Sequence, residues 1–206
     1  MSRRLLLATR NAGKLVELQR ILDAALGTGA VGLIGLSDVD EYDEIPESGL
    51  TFVDNALLKA REGVKHTGLP TVADDSGIAV DALNGMPGVF SARWSGGHGD
   101  DVANLNLLLA QISDVDDEHR GAAFVCSAVL VLPDGREFAV EGDMRGHLVR
   151  APRGSGGFGY DPIFVPDGET RTSAELSPAE KDAISHRGKA FRALAAIAAT
   201  ELGRAR

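Results

Sequence analysis

The chain has 206 residues, and its 21 Lys plus Arg against 30 Asp plus Glu give a formal charge of −9. A balance this acidic argues against a nucleic-acid binder, which needs a basic face to neutralise phosphates. It leaves room for a small phosphorylated ligand held through a metal ion and a few lysines. With 44% apolar and 25% charged residues, the composition is that of a folded globular protein, expected as a single domain over 1–206 or two small lobes sharing one core. Glycine stands out. Its 25 copies are roughly 12% of the chain against a usual ~7%. The single cysteine, Cys126, excludes an intrachain disulfide and lies in an apolar run, where a buried thiol is expected. The basic start followed by Leu5–Ala8 is too short for a signal-peptide core. The longest apolar stretch, Ala122–Leu132, falls short of the ~20 residues that span a bilayer. A soluble, cytoplasmic protein is expected.

In chain order, Arg4–Ala8 reads as a buried strand. The polar segment Thr9–Lys14 follows, and then Leu15, Leu18, Ile21, Leu22 and Leu26 recur at helical spacing. Val31–Leu36 is a candidate second strand, ahead of an acidic stretch containing Asp38, Asp40, Glu41, Asp43, Glu44 and Glu47. Thr51 with Asp54 three residues on is the pattern of a helix start, continued by Phe52, Ala56, Lys59, Ala60 and Gly63. Pro70–Ala73 is short and β-prone, Asp74-Asp75-Ser76-Gly77 interrupts it, and Ile78–Val80 resumes. Gly85–Gly88 is a turn, and Val102–Ile112 a leucine-rich helix introduced by Asp100 and Asp101. Ala122–Leu132 and Glu137–Gly142 flank Pro133-Asp134-Gly135, a hairpin signal. After a glycine-rich loop at 154–159, Ser177-Pro178-Ala179-Glu180 opens a helical region ending near Leu202. Early alternation of strands and helices with a late hairpin predicts an α/β fold, a mixed sheet flanked by helices.

Four segments carry chemistry. In Thr9-Arg10-Asn11-Ala12-Gly13-Lys14 a glycine, a helix N-terminus and a lysine charge together suit an anion, although the Walker spacing is absent. The alternative is an ordinary strand-to-helix turn. In Asp74-Asp75, neighbouring side chains of a strand point to opposite faces, so the two carboxylates are expected to do different jobs. One of them could ligate Mg²⁺, which takes one or two carboxylates plus substrate phosphates, whereas the competing reading is an Asx turn. Glu47, just ahead of the helix start, is placed to join such a site. Gly154–Gly159 matches G-x-G-x-x-G literally, but extended chain is expected to follow at Tyr160-Asp161-Pro162, which removes a dinucleotide fold. Phe158 in that loop could stack on a base or close over the core as a hydrophobic staple. Ser185-His186-Arg187-Gly188 offers several donors suited to a carbonyl or a phosphate.

Six ordered segments resemble the inosine triphosphate pyrophosphatase family, which hydrolyses non-standard purine nucleoside triphosphates. They are LATRNAGK at 7–14, ESGLTFVDNALLKA at 47–60, ADDSGIAVDAL at 73–83, PGVFSAR at 87–93, GGFGYDPIF at 156–164 and SHRGKA at 185–190. The resemblance implies a long mixed sheet flanked by helices, two lobes with a nucleotide cleft between them, and a homodimer that acts on a small-molecule nucleotide rather than on nucleic acid or membrane. It implies that Thr9, Arg10, Asn11, Ala12, Gly13 and Lys14 hold the triphosphate. Glu47 and Asp75 would bind Mg²⁺, with Asp75 also the proton acceptor for water, and Lys59 and Asp74 would support that site. Ser76, Phe158, Gly159, Tyr160, Asp161, Lys181, His186 and Arg187 would line the sugar and base pocket. The implied reaction converts ITP, dITP or XTP to the monophosphate and pyrophosphate. A pyrophosphatase for modified pyrimidine nucleotides and a catalytically silent nucleotide-binding module are the alternatives. One departure stands out, Arg10 where the family commonly has glycine. Either that glycine needs no positive φ or the loop differs here.

Overall fold

The computed structural model describes residues 3–10, 12–42, 45–97 and 99–204; Asn11, Asp43 and Glu44 of the segments above lie outside them. Six strands form one mixed sheet in the order β2-β1-β3-β4-β5-β6. They are β1 Arg3–Leu7, β2 Val31–Ile34, β3 Thr71–Val80, β4 Gly121–Val131, β5 Glu137–Leu148 and β6 Phe164–Pro166. β1 pairs in parallel with both β2 and β3, and β5 pairs antiparallel with β6. The helices are α1 Ala12–Leu26, α2 Phe52–Thr67, α3 Asp101–Gln111, α4 Pro178–Ile184 and α5 His186–Arg204. Among the described residues no helix is long and apolar enough to cross a membrane.

The chain divides into two compact units. The first comprises 1–75, 126–141 and 187–206, and the second 76–125 and 142–186. In the first unit, Leu5, Leu7, Val72, Cys126, Ala128 and Leu130 pack with Leu18 and Leu22 of α1 and with Phe191, Leu194 and Ala198 of α5. Ala8, Ala73, Val129 and Val131 pack instead with Ala56 and Ala60 of α2. The alternation of strand side chains is thus visible directly: Val72 faces α1 and α5, and its neighbour Ala73 faces α2. The second unit has its own core, in which Ile78, Val80, Phe124, Met144 and Phe164 meet Leu105 and Leu108 of α3.

Local signals account for the helix starts. Thr51 Oγ1 accepts from the Asp54 amide at 3.2 Å, and α2 ends at Gly68, whose φ of 66° is left-handed. Ser177 and Glu180 form a reciprocal capping box at α4, with Pro178 inside the first turn.

The structure corrects the sequence reading in two places. β3 runs unbroken from Thr71 to Val80, so Asp74–Gly77 is not an interruption. An Asx turn needs the carboxylates to bond neighbouring amides, whereas these two bond side chains of distant helices, and the backbone stays extended. After the glycine loop, Asp161–Ile163 is a tight 3₁₀ turn rather than extended chain. The amide of Ile163 donates to Tyr160 O at 3.1 Å, and the proline at 162 brings a helical φ. Hydrogen bonds from the Ser177 hydroxyl and amide, with the Arg171 guanidinium, hold the Glu180 carboxyl down to about 2. A depressed carboxylate pKa contributes stability above its ordinary value, here 4.5, and loses it as pH falls towards 2. Protection of the amides across 177–181 should therefore fall over that window, and in Glu180→Ala, which has no acceptor, it should be low at both ends; unchanged protection at pH 2 would refute the cap's role.

Candidate active site

Asp74 and Asp75 leave β3 on opposite faces, as strand geometry requires, and each meets its own set of partners. Asp74 is 3% exposed. It takes the Lys14 ammonium of α1 on both oxygens, at 2.9 and 2.8 Å, and Arg187 Nε from the first turn of α5 at 3.4 Å. Burial pushes the Asp74 carboxyl up, but Lys14 and Arg187 outweigh it and hold the group at about 2. Cys126 Sγ lies 4.0 Å from the same carboxylate, and burial pushes that thiol up, so it is an inert core residue.

On the other face, Asp75 Oδ2 accepts from Asn55 Nδ2 at 3.0 Å, and Oδ1 lies 3.8 Å from Lys59 Nζ. Lys59 also donates to Glu47 Oε1 at 2.9 Å. Burial lowers the Lys59 pKa, but Asp75 and Glu47 together raise it above the ordinary lysine value. Glu47, Lys59 and Asp75 are therefore one cluster, with two carboxylates drawn towards a single ammonium. Asn55 is the residue that sequence reasoning missed. It is fully buried on α2, and its carbonyl accepts the Gly49 amide at 2.8 Å while its amide holds Asp75. Gly49 is required there, because a Cβ would lie 2.6 Å from Asn55 Oδ1. The only sequence signal was a polar residue at a helical position whose neighbour Ala56 is core.

Thr9 and Arg10 precede α1, and Gly13 and Lys14 lie in its first turn, which contains no acidic residue. Among the described residues Asn84 alone has positive φ without being glycine. Arg10 therefore adopts an ordinary backbone without left-handed strain.

In the second unit the glycine loop is built around Asp161. This carboxylate, 2% exposed, accepts the Phe158 amide at 2.8 Å and pairs with the Lys181 ammonium of α4. Gly157 has a φ of 70°, and a Cβ there would lie 2.1 Å from Asp161 Oδ2. The Gly159 amide donates to Asp101 Oδ2 at 2.8 Å. Phe158 is 61% exposed, with Lys181 Nζ 5.2 Å from its ring centroid. It does not close over the core, which overturns the staple alternative. Tyr160 is itself a core residue, its hydroxyl donating to Ser91 O at 2.8 Å, so only its backbone can face a ligand. His186 is buried and stacked on Phe124 at 5.1 Å. Its sequence neighbour Arg187 goes to Asp74 instead. Ser76 continues β3 in the second unit.

Removing the Asp74 carboxylate leaves Lys14 and Arg187 without their shared counter-charge. Asp74→Ala should cost about 3 kcal/mol in urea unfolding at pH 7, and a loss below about 1 kcal/mol would show that the pairing is not structural.

Residues 5–197 match the model of the Ham1 family. A dITP/XTP pyrophosphatase of Mycobacteroides abscessus is 63% identical over 191 residues, which is 93% of this chain and 92% of that protein. The crystal structure of a nucleoside-triphosphatase, or dITP/XTP pyrophosphatase, from Mycobacterium abscessus superposes with a TM-score of 0.80 at 63% identity, covering 93% of this chain and 98% of that one. A HAM1 protein from Coxiella burnetii gives a TM-score of 0.87 at 41% identity over 97% of this chain and 99% of that one. With the family match spanning nearly its whole length, this chain belongs to the Ham1 family.

Proposed function

We propose that this chain hydrolyses non-standard purine nucleoside triphosphates, ITP, dITP and XTP, to the monophosphate and pyrophosphate, with Mg²⁺ as cofactor. The observation that carries the reading is the pair of opposed charge clusters on β3. On one face Lys14 and Arg187 gather at Asp74, and on the other Glu47 and Asp75 gather at Lys59. The first suits triphosphate oxygens and the second suits a hard divalent cation. The relatives named dITP/XTP pyrophosphatase support the substrate class.

The donor chemistry fits magnesium. Two carboxylates that already converge on one cationic nitrogen, at 2.9 and 3.8 Å, match an ion that takes one or two protein carboxylates and completes its shell from water and phosphate. Glu47 and Asp75 would hold Mg²⁺, which would supply neutralisation of phosphate charge.

The protein's own groups do the rest. Asp75 accepts a proton from water as the water oxygen bonds to the α-phosphorus. The bond from that phosphorus to the bridging oxygen breaks, and pyrophosphate leaves with the electron pair. Asn55 fixes the plane of the Asp75 carboxylate, so the proton acceptor is already oriented. Thr9, Gly13 and Lys14 hold the triphosphate at the start of α1, with Arg10 adding charge; phosphoryl transfer needs this positioning more than covalent help. In the second unit, Phe158 gives the purine a face to stack on. Donors of Lys181 and His186 match the 6-carbonyl of hypoxanthine or xanthine and leave the 6-amino group of adenine unmatched, a polarity rule that can discriminate by ~10⁴. The working state is a cytoplasmic homodimer, for which the exposed Met86, Phe90, Val102 and Leu107 of the second unit offer apolar surface.

Pyrophosphate release measured over ITP, dITP, XTP, ATP, GTP and modified pyrimidine triphosphates tests the substrate class. Preference for the inosine and xanthosine nucleotides is expected, and preference for a pyrimidine would replace this reading. Turnover should vanish in EDTA and return with excess Mg²⁺; undiminished turnover in EDTA would remove the metal from the mechanism. Asp75→Asn keeps shape and an oxygen acceptor for Asn55, so the fold should persist while kcat drops about a hundredfold or more. A variant keeping above about a tenth of the wild-type rate would exclude Asp75 as the base.

A further inference from the structure

The two amides that flank the Phe158 α-carbon are each held by a different carboxylate. The Phe158 amide donates to Asp161 Oδ2 at 2.8 Å, and the Gly159 amide donates to Asp101 Oδ2 at 2.8 Å. The first bond fixes the peptide plane on the φ side of Phe158 and the second fixes the plane on its ψ side. With both planes held, an exposed ring retains only its own side-chain rotations. The neighbouring glycines make such a loop pliable otherwise: Gly154, Gly157 and Gly159 all have positive φ, at 82°, 70° and 60°.

Asp101 stands outside this loop, in the first turn of α3, and the helix does not need it as a cap. The adjacent Asp100 is the N-cap, accepting the Ala103 amide at 2.9 Å. One aspartate starts the helix, and the next is left to bond across to residue 159. Asp161 is tied to Lys181 as well, so its bond to the Phe158 amide is already part of the base-side cluster. Asp101 supplies the tie from a separate element.

We propose that Asp101 is a positioning residue for nucleobase binding, holding the Phe158 ring in the orientation that stacks on a purine. This rests on the reading of Phe158 as the base platform given above. Asp101 touches no phosphate in this scheme, so its contribution belongs to the base alone. Losing it lets the peptide between Phe158 and Gly159 rotate, and the ring must be reordered each time a base binds.

The test uses the two products of the proposed reaction, which need no turnover. Titration calorimetry of the full chain measures inosine monophosphate, which has the base, and inorganic pyrophosphate, which lacks it. Asp101→Ala should weaken inosine monophosphate about three- to tenfold, the equivalent of one hydrogen bond, and leave pyrophosphate unchanged. Asp101→Asn, which retains a carbonyl acceptor at the same place, should stay within about twofold of wild type. In steady state the alanine variant should raise KM for ITP by the same factor at constant kcat. Equal weakening of both products, an asparagine variant as impaired as alanine, or no change in either product would each overturn the proposal. So would a wild-type chain that binds no inosine monophosphate, since Phe158 would then hold no base. A chain that binds inosine monophosphate through Asp101 but releases no pyrophosphate from ITP would refute the proposed activity and leave the positioning role standing.

Discussion

Consecutive residues of a buried strand cannot share one hydrogen-bonding partner, because their side chains leave on opposite faces of the sheet. Asp74 and Asp75 meet this constraint at the middle of β3, and the first unit is arranged around it. Val72 and Asp74 look towards α1 and α5, so those two helices supply the cations Lys14 and Arg187. Ala73 and Asp75 look towards α2, which supplies Lys59 and Asn55. Burying an unpaired carboxylate costs several kcal/mol, so each aspartate dictates what its face must provide. One sheet position thereby separates two cations gathered on a carboxylate from two carboxylates gathered on an ammonium by the thickness of a single backbone.

The second unit solves a different problem. The base platform proposed for Phe158 has to stay exposed and yet be fixed, and a ring that packed into the core to gain rigidity could not stack on a ligand. Phe158 remains 61% exposed because its backbone, rather than its side chain, is held. The carboxylates of Asp161 and Asp101 bond the two amides that flank the Phe158 α-carbon, and buried Tyr160 anchors the loop's far end through its hydroxyl bond to Ser91 O. Exposure and order are combined by placing the order in hydrogen bonds.

Much of this was legible in the chain. The Thr51 cap, the Ser177–Glu180 box, the hairpin at 133–135 and the alternation of early strands and helices rest on short-range chemistry, and the six family-like segments lie in order along it. The same alternation rule foretold that Asp74 and Asp75 would have different jobs, and the structure gives each different partners. What misled was also local: Asp-Asp-Ser-Gly has the composition of a turn, yet it lies within a ten-residue strand. Its turn-forming oxygens were claimed by Lys14, 60 positions away, and by Asn55, 20 positions away.

Residue types and short-range spacing by themselves therefore determined the helix starts, the mixed α/β order and the set of charged residues available for chemistry, because those depend on neighbours within a few positions. Tertiary structure alone decided which charges meet. Asn55 as the holder of Asp75, Asp101 as the tie on the glycine loop, Tyr160 as core rather than pocket, and Arg187 on Asp74 while His186 stacks on Phe124 are all contacts between distant segments. No local rule specifies such contacts, because a side chain's partner is set by the sheet face and helix turn that folding brings opposite it.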